Sequence, residues 1–152
     1  MPNDGYAAAA PVRIVLDTNV VISALLWRGL PYQLLTTLRA HPAAQLYSSP
    51  VLLAELTDVL TRPAATRQLA AIRNTPRAVL ADYLEVVELV EPVESPRVAR
   101  DPDDDQVLAA ALSARADVIV SGDADLLTLG SFQNIRILAP REALSLLAEL
   151  SG

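Results

Sequence analysis

Five acidic residues of this 152-residue chain lie near the ends of predicted strands or on predicted helices. The candidates are Asp17, Glu55, Asp105, Asp123 and Asp125. The chain has no cysteine and a single histidine, so a metal held by these residues would be bound mainly by oxygen. Ligand sets made of oxygen suit Mg²⁺ or Mn²⁺. Because such an ion activates water and stabilises charge on a phosphate under attack, the set predicts hydrolysis of phosphodiester bonds.

Two of these acids follow runs of apolar residues that lack any alternation with polar ones. Residues 12–16 precede Asp17, and residues 118–120 precede Ser121, Gly122 and Asp123. Such runs are typical of central parallel strands that are covered on both faces. The ligand crevice of an open parallel sheet lies at the carboxyl ends of its strands. We therefore expect Asp17 and Asp123 to lie at the same edge of the sheet.

The acids on predicted helices point toward the same edge, because helices that follow parallel strands begin there. Asp105 shares a helical face with Leu108, Ala109 and Leu112, at spacings of three, four and seven residues. It should therefore point inward, where an unpaired charge is costly. All twelve basic residues are arginine, so no lysine can neutralise it. Glu55 is likewise an acid on the inward face of its own helix. A bound metal would neutralise the charge of both carboxylates.

Each acid also has an ordinary structural explanation. The segment Asp17-Thr18-Asn19 could be a helix N-cap and nothing more. Glu55 could be a solvated surface residue, and Asp123 with Asp125 could cap a short helix. All these explanations would have to hold together while the fold places the acids at one edge, so we favour the metal site. Whether Asp123 or Asp125 supplies the fourth ligand is left open, as is the number of metal ions.

Hydrophobic periodicity and capping residues predict alternating strands and helices. Strands are predicted at 12–17, 45–48, 86–90, 117–121 and 135–138. Helices are predicted at 20–27, from 31 to about 41, at 50–62, 64–73, 77–88 and 102–115, and from 140 onward. Short connections between alternating elements predict an α/β domain with three α/β/α layers and a central parallel sheet of four to five strands. We assign one domain to residues 12–150, preceded by a flexible tail over residues 1–11.

The net charge of −6 is unusual for a protein that binds nucleic acid. Seven of the eighteen acidic residues lie in or beside the candidate site, which leaves eleven against twelve arginines elsewhere. Among the arginines, Arg62, Arg67, Arg73 and Arg77 recur along the helices after Glu55 and are either a solvated face or a contact for RNA or a partner protein.

Other features of the sequence are less informative about chemistry. No apolar run approaches the roughly 18 residues that span a membrane, and we expect a cytoplasmic protein. We expect His41 to be an exposed loop residue. We also expect Trp27 and the tyrosines to pack in the interior, rather than stack on bases.

The motifs together resemble the PIN-domain family over about residues 12–140. The matching segments are the strand that ends in Asp17-Thr18-Asn19, the helix that carries Glu55, the run 101–105 followed by Leu108 and Ala111, and the segment 116–127 around Ser121-Gly122-Asp123. Where threonine is usual in the last motif, this chain has Ser121.

The resemblance implies roles for particular residues. Asp17, Glu55, Asp105 and Asp123 would be the metal-binding acids, with Asp125 and Asp104 as supplements. Thr18, Asn19 and Ser121 would orient those acids through hydrogen bonds. The resemblance further implies Mg²⁺- or Mn²⁺-dependent cleavage of single-stranded RNA by the toxin of a type II toxin–antitoxin pair similar to VapC. It also implies a small antitoxin partner and a homodimer.

Two other families with an aspartate at a strand end do not fit. Haloacid-dehalogenase-like phosphatases carry a second aspartate two residues after the first, where this chain has Asn19. Response-regulator receivers require a lysine, and this chain has none. The remaining alternative is a PIN fold that binds RNA or protein without cutting. Retention of all the acids argues against it, since without a metal they would repel phosphate.

Overall fold

A single sheet of six strands organises the part of the chain that the structure describes. The computed structural model describes residues 10–92 and 102–151, apart from the side chains of residues 102 and 103. The strands are β1 (Val12–Leu16), β2 (Ala44–Ser48), β3 (Val87–Leu89), β4 (Val118–Val120), β5 (Ser131–Phe132) and β6 (Ile135–Leu138). Their order in space is β3–β2–β1–β4–β6–β5, and every neighbouring pair is parallel except β5 with β6.

Eight helices lie in the described part of the chain. They are α1 (Thr18–Leu26), α2 (Leu30–Ala40), α3 (Pro50–Leu60), α4 (Pro63–Ala71), α5 (Pro76–Val86), α6 (Pro102–Ser113), α7 (Ala124–Leu129) and α8 (Pro140–Ser151). The predicted starts at a proline in α3, α6 and α8 are confirmed. Proline suits the first turn because its missing N–H would be unsatisfied there.

Two apolar cores lie on opposite faces of the sheet. Ile14 and Leu16 of β1 point into the core that packs against α1 to α5 and α8. Val15 points the other way, into the core beneath α6 and α7. The central strand is therefore buried on both faces, as its unbroken apolar run predicts. The predicted α/β class with a mostly parallel sheet between helix layers is confirmed.

The sheet contains five parallel strands, as predicted, and also the antiparallel edge strand β5, which the prediction omits. This two-residue edge strand pairs with β6 through a tight turn at Gln133 and Asn134, both of which have positive φ values of 48° and 69°. Positive φ at both central residues is the pattern of a type I′ hairpin turn. This turn is hard to predict from local pattern, because glutamine rarely adopts a positive φ and only Asn134 is a typical turn residue.

Three local expectations also need correction. Helix α1 begins at Thr18, two residues before the predicted start at residue 20, and Asp17 is its N-cap residue. His41 is half-buried: its Nε2 atom lies 3.1 Å from the carbonyl oxygen of Leu147, and its Nδ1 atom accepts the N–H of Ala43. Trp27, at the end of α1, is 56% exposed rather than packed.

The predicted tail over residues 1–11 lies outside the described residues as far as residue 9, and so do Asp101 and the side chain of Asp103. No helix in the described ranges is both long enough and apolar enough to cross a membrane.

Candidate metal centre

Polar and acidic side chains line one cleft at the carboxyl edge of the sheet. The cleft has a volume of about 450 Å³ and is lined by Asp17, Thr18, Asn19, Ile22, Glu55, Asp58, Val59, Arg62, Asp104 and Asp123. These residues come from the end of β1, from α1, α3 and α6, and from the loop after β4. Four acids that the sequence places on different elements, Asp17, Glu55, Asp104 and Asp123, thus line one cleft, whereas Asp105 and Asp125 are not part of its lining.

Asp17 is fixed in the cleft by the strand beside it. Its backbone N–H donates to the carbonyl oxygen of Val120, which extends the pairing of β1 with β4. Its side chain is buried and makes no capping hydrogen bond to α1. Instead, the hydroxyl of Ser121 donates to Oδ2 of Asp17 at 2.7 Å. Asp17 therefore occupies the cap position, and its carboxylate is held by Ser121 with the backbone N–H groups of Thr18 and Asn19 close by.

Ser121 joins two of the candidate acids. It has no exposed surface, and its oxygen accepts the backbone N–H of Asp123 at 2.9 Å while its hydroxyl donates to Asp17. One small side chain thus links the acid at the end of β1 to the acid that follows β4. The hydroxyl is the feature shared by serine and the threonine that is usual at this position.

Glu55 is oriented by a neighbouring hydroxyl on a different helix. Thr18 Oγ1 donates to Oε1 of Glu55 at 3.3 Å, across 37 residues of sequence. The helix that carries Glu55 is α3. Its N-cap residue is Ser49, whose side chain accepts the N–H of Leu52. Helical side chains lean toward the N-terminus of their helix, which directs Glu55 back toward the sheet edge.

Asp104 and Asp105 are both buried, but they occupy different places. Asp104 lines the cleft, and one carboxylate oxygen from each of Asp104, Asp123 and Asp125 lies within 4.8 Å of the others. Asp105 is 8% exposed, as its inward stripe predicts, and lies outside the lining of the cleft. Neighbouring helical residues are about 100° apart, so the two side chains leave α6 in different directions.

Asp123 has a structural contact as well as a place in the cleft. Its Oδ1 atom accepts the N–H groups of Asp125 and Leu126 and so caps α7. The capping explanation is therefore correct for Asp123, and it does not exclude a ligand role, because capping orients the carboxylate. Asp125 is exposed in the first turn of α7 and extends the acid cluster toward solvent.

The electrostatics of the cleft favour a cation. Burial raises the pKa of the Asp17 carboxyl above its usual range, and the negative charge of Asp123 raises that pKa further. The hydrogen bond from Ser121 and the nearby backbone N–H groups of Thr18 and Asn19 lower the same pKa and offset part of the increase. Several carboxylates held together resist full ionisation unless a positive charge joins them. Three carboxylates within reach of one point are a donor set that fits Mg²⁺ or Mn²⁺.

One arginine of the four singled out in the sequence reaches the cleft. Arg62 lines its outer end and pairs with Asp58 at 2.6 Å, although both side chains are largely exposed. The other three, Arg67, Arg73 and Arg77, are exposed on or beside α4 and α5 and do not line it. Sequence reasoning missed Asp58, although it lies three residues after Glu55 on the same face of α3.

Comparison with known proteins identifies the family. A model of the PIN domain matches residues 13–125, which is most of the chain. The chain belongs to the PIN domain family. Its sequence is also similar to that of an uncharacterised protein of Methanocaldococcus jannaschii, at 30% identity over 119 residues that cover 78% of this chain and 75% of that protein. The resemblance that the motifs indicated is confirmed.

The fold of this PIN domain is similar to a solved one. A chain in the crystal structure of VapBC2 from Rickettsia felis, bound to a DNA fragment from their promoter, superposes with a TM-score of 0.60. The match covers 84% of this chain and 98% of that chain at 14% identity. At that level of identity, the similarity concerns the fold.

Proposed function

We propose that this PIN domain is an endoribonuclease that uses Mg²⁺ or Mn²⁺ to hydrolyse phosphodiester bonds of single-stranded RNA. The observation that carries the proposal is the acid cluster: carboxylate oxygens of Asp104, Asp123 and Asp125 lie within 4.8 Å of one another, beside a cleft that also holds Asp17 and Glu55. A divalent ion bound there supplies an activated water and stabilises charge on the phosphate.

The residues of the chain have separate tasks in this proposal. Asp17, Glu55, Asp104, Asp123 and Asp125 hold the ion through carboxylate oxygens. Thr18 and Ser121 orient Glu55 and Asp17 through the hydrogen bonds described above. Asn19 lies at the exposed edge of the cleft, where its amide can bond to the substrate.

The geometry favours Asp104 over Asp105 as the ligand from α6. Asp104 lines the cleft and belongs to the acid cluster, whereas Asp105 lies outside the cleft lining. The resemblance to the PIN domain family implied that Asp105 is the metal ligand from α6. Variants of each residue distinguish the two assignments.

The test is cleavage of a mixed pool of single-stranded RNA in Mn²⁺, with EDTA as the metal-free control. We expect wild-type protein to cut and EDTA to abolish cutting. Asp17→Asn and Asp104→Asn should each lower the rate by roughly a hundred-fold or more, since each removes charge next to the reacting phosphate. Asp82→Asn, an exposed substitution of the same type on α5, should cut like wild type.

Each outcome of this experiment has a defined meaning. If Asp17→Asn and Asp104→Asn cut as fast as wild type, the site assignment is wrong. If only Asp105→Asn loses activity, the ligand on α6 is Asp105. A failure of millimolar Mn²⁺ to raise the melting temperature of the wild type would favour the alternative, a non-catalytic RNA- or protein-binding module, because a ligand that binds the native state stabilises it.

We propose further that this PIN domain is the toxin of a type II toxin–antitoxin pair, acts in the cytoplasm and is inhibited by a small antitoxin protein. Its fold similarity to a chain of VapBC2 supports this assignment. Expression of the chain with the product of an adjacent small reading frame should yield a stable complex that no longer cuts RNA. Separate elution of the two products, with cleavage unaffected, would contradict the pairing. The same chromatography tests the expected homodimer.

A further inference from the structure

A second pocket adjoins the acid cleft on the other side of α1. It has a volume of about 370 Å³ and is lined by Asn19, Val20, Ser23, Pro31, Gly122, Asp123, Ala124 and Pro140. Its walls are α1, the start of α2, the loop after β4 and the start of α8. This volume falls within the range of about 300–1,000 Å³ that is typical of ligand pockets.

The pocket shares two lining residues with the acid cleft. Asn19 and Asp123 line both, so Asp123, a member of the acid cluster, lies where the two cavities meet. The lining of the acid cleft includes Arg62, whereas the described residues that line the second pocket include no arginine. An arginine can contact a phosphate, and a lining without a cation suits an uncharged group.

An endonuclease must hold a nucleotide on each side of the bond that it cuts, and an acid placed where two cavities meet provides for both. The second pocket combines the apolar walls of Val20, Pro31 and Pro140 with the amide of Asn19 and the hydroxyl of Ser23. Apolar surface with a few hydrogen-bonding groups suits a nucleobase and its ribose, since unstacked bases of single-stranded RNA offer both a face and polar edges.

We infer that this second pocket, between Ser23, Gly122 and Pro140, holds the nucleoside next to the scissile phosphate and thereby influences which RNA sequences are cut. The inference rests on the proposed nuclease function and adds to it a binding site for the uncharged part of the substrate. Gly122 leaves room at the mouth of the pocket: a Cβ added there would meet nothing within 4 Å.

The experiment fills the pocket without touching an acid. Ser23→Leu adds apolar bulk on α1, one helical turn beyond Asn19, and Ser145→Leu is the matched control at an exposed position of α8. Mn²⁺-induced stabilisation reports on the metal centre, and kcat/KM on a single-stranded RNA pool reports on substrate binding. We expect Ser23→Leu to keep the manganese shift and to lose about ten-fold or more in kcat/KM, with an altered pattern of cleavage sites. Ser145→Leu should match wild type in both.

The possible results separate this inference from the proposed function. A wild type that does not cut RNA would overturn the nuclease function, and the assigned occupant of the pocket with it. A cutting wild type together with an equally active Ser23→Leu would overturn the nucleoside pocket alone. Loss of the manganese shift in Ser23→Leu would place its effect at the metal centre and would also contradict the inference. If Ser23→Leu fails to fold, Gly122→Val provides the same test, because the open space at Gly122 accepts a side chain.

Discussion

At the level of single residues, Ser121 has the largest influence on the geometry of the candidate centre. It is fully buried, donates to Asp17 and accepts from the backbone of Asp123, so it couples the two strand ends that present these acids. In the proposed metal site, its hydroxyl would act on a bound ion through these two neighbours, which makes it a positioning residue. Residues that orient metal ligands in this way commonly contribute ten- to a hundred-fold to metal affinity.

Ser121→Ala tests this role. The substitution leaves the N–H of Asp123 without its acceptor, so we expect a loss of roughly 1–3 kcal/mol in the free energy of unfolding. We also expect Mn²⁺ affinity, measured by calorimetry, to fall by roughly 10- to 100-fold. Ser121→Thr keeps the hydroxyl and should retain most of the affinity. Equal affinities for Ser121→Ala and wild type would show that Asp17 holds its position without this hydrogen bond.

At the level of secondary structure, capping residues and strand ends determine where the acids of the candidate site lie. The hairpin at the edge of the sheet is separate from them and contributes no residue to the cleft. Ser49 caps α3 and thereby sets the start of the helix that carries Glu55. The turn between β5 and β6 forces Gln133 to a φ of 48°, a left-handed conformation that costs a residue with a Cβ about 1–2 kcal/mol.

Gln133→Gly should relieve that cost. Glycine adopts positive φ freely, although it loses more backbone entropy on folding, so we expect a net stabilisation of up to about 1 kcal/mol in urea denaturation. RNA cleavage should not change, because Gln133 lies outside both cavities at the carboxyl edge. A lower midpoint of unfolding would mean that the glutamine side chain stabilises the turn by more than its backbone conformation costs.

At the level of the whole molecule, the sheet divides the interior into two cores with different relations to the site. Leu108 is on α6, one helical turn beyond Asp104, and its side chain is fully buried in the core on that face of the sheet. Leu69, on α4, is equally buried in the core on the other face. Close-packed interiors transmit local strain, so damage beneath α6 should reach the metal centre, whereas damage around α4 should not.

Leu108→Ala and Leu69→Ala form a matched pair for this comparison. Each should lower the free energy of unfolding by roughly 2–5 kcal/mol, because each leaves a cavity in a close-packed core. Only Leu108→Ala should also weaken Mn²⁺ binding, measured by calorimetry below the unfolding temperature. Equal manganese affinities for the two variants would indicate that Asp104 is held by something other than the packing of α6.

The sequence by itself determined the features that depend on local pattern. Unbroken apolar runs identified β1 and β4 as buried parallel strands, and the acids that follow them had to lie at the carboxyl edge. Proline after a capping residue located the start of α3 to within one residue. These signals are local because helix period, strand period and capping involve only neighbouring residues. The family followed from the same motifs.

Only the tertiary structure decided which side chains meet. Ser121 bonds to Asp17 across 104 residues, a contact that depends on β1 pairing with β4. The rotation of α6 about its axis brings Asp104 to the cleft and leaves Asp105 outside the lining, and that rotation is set by packing against the sheet rather than by the period of the helix alone. The second pocket arises where α1, α8 and the loop after β4 approach one another, so no single segment encodes it.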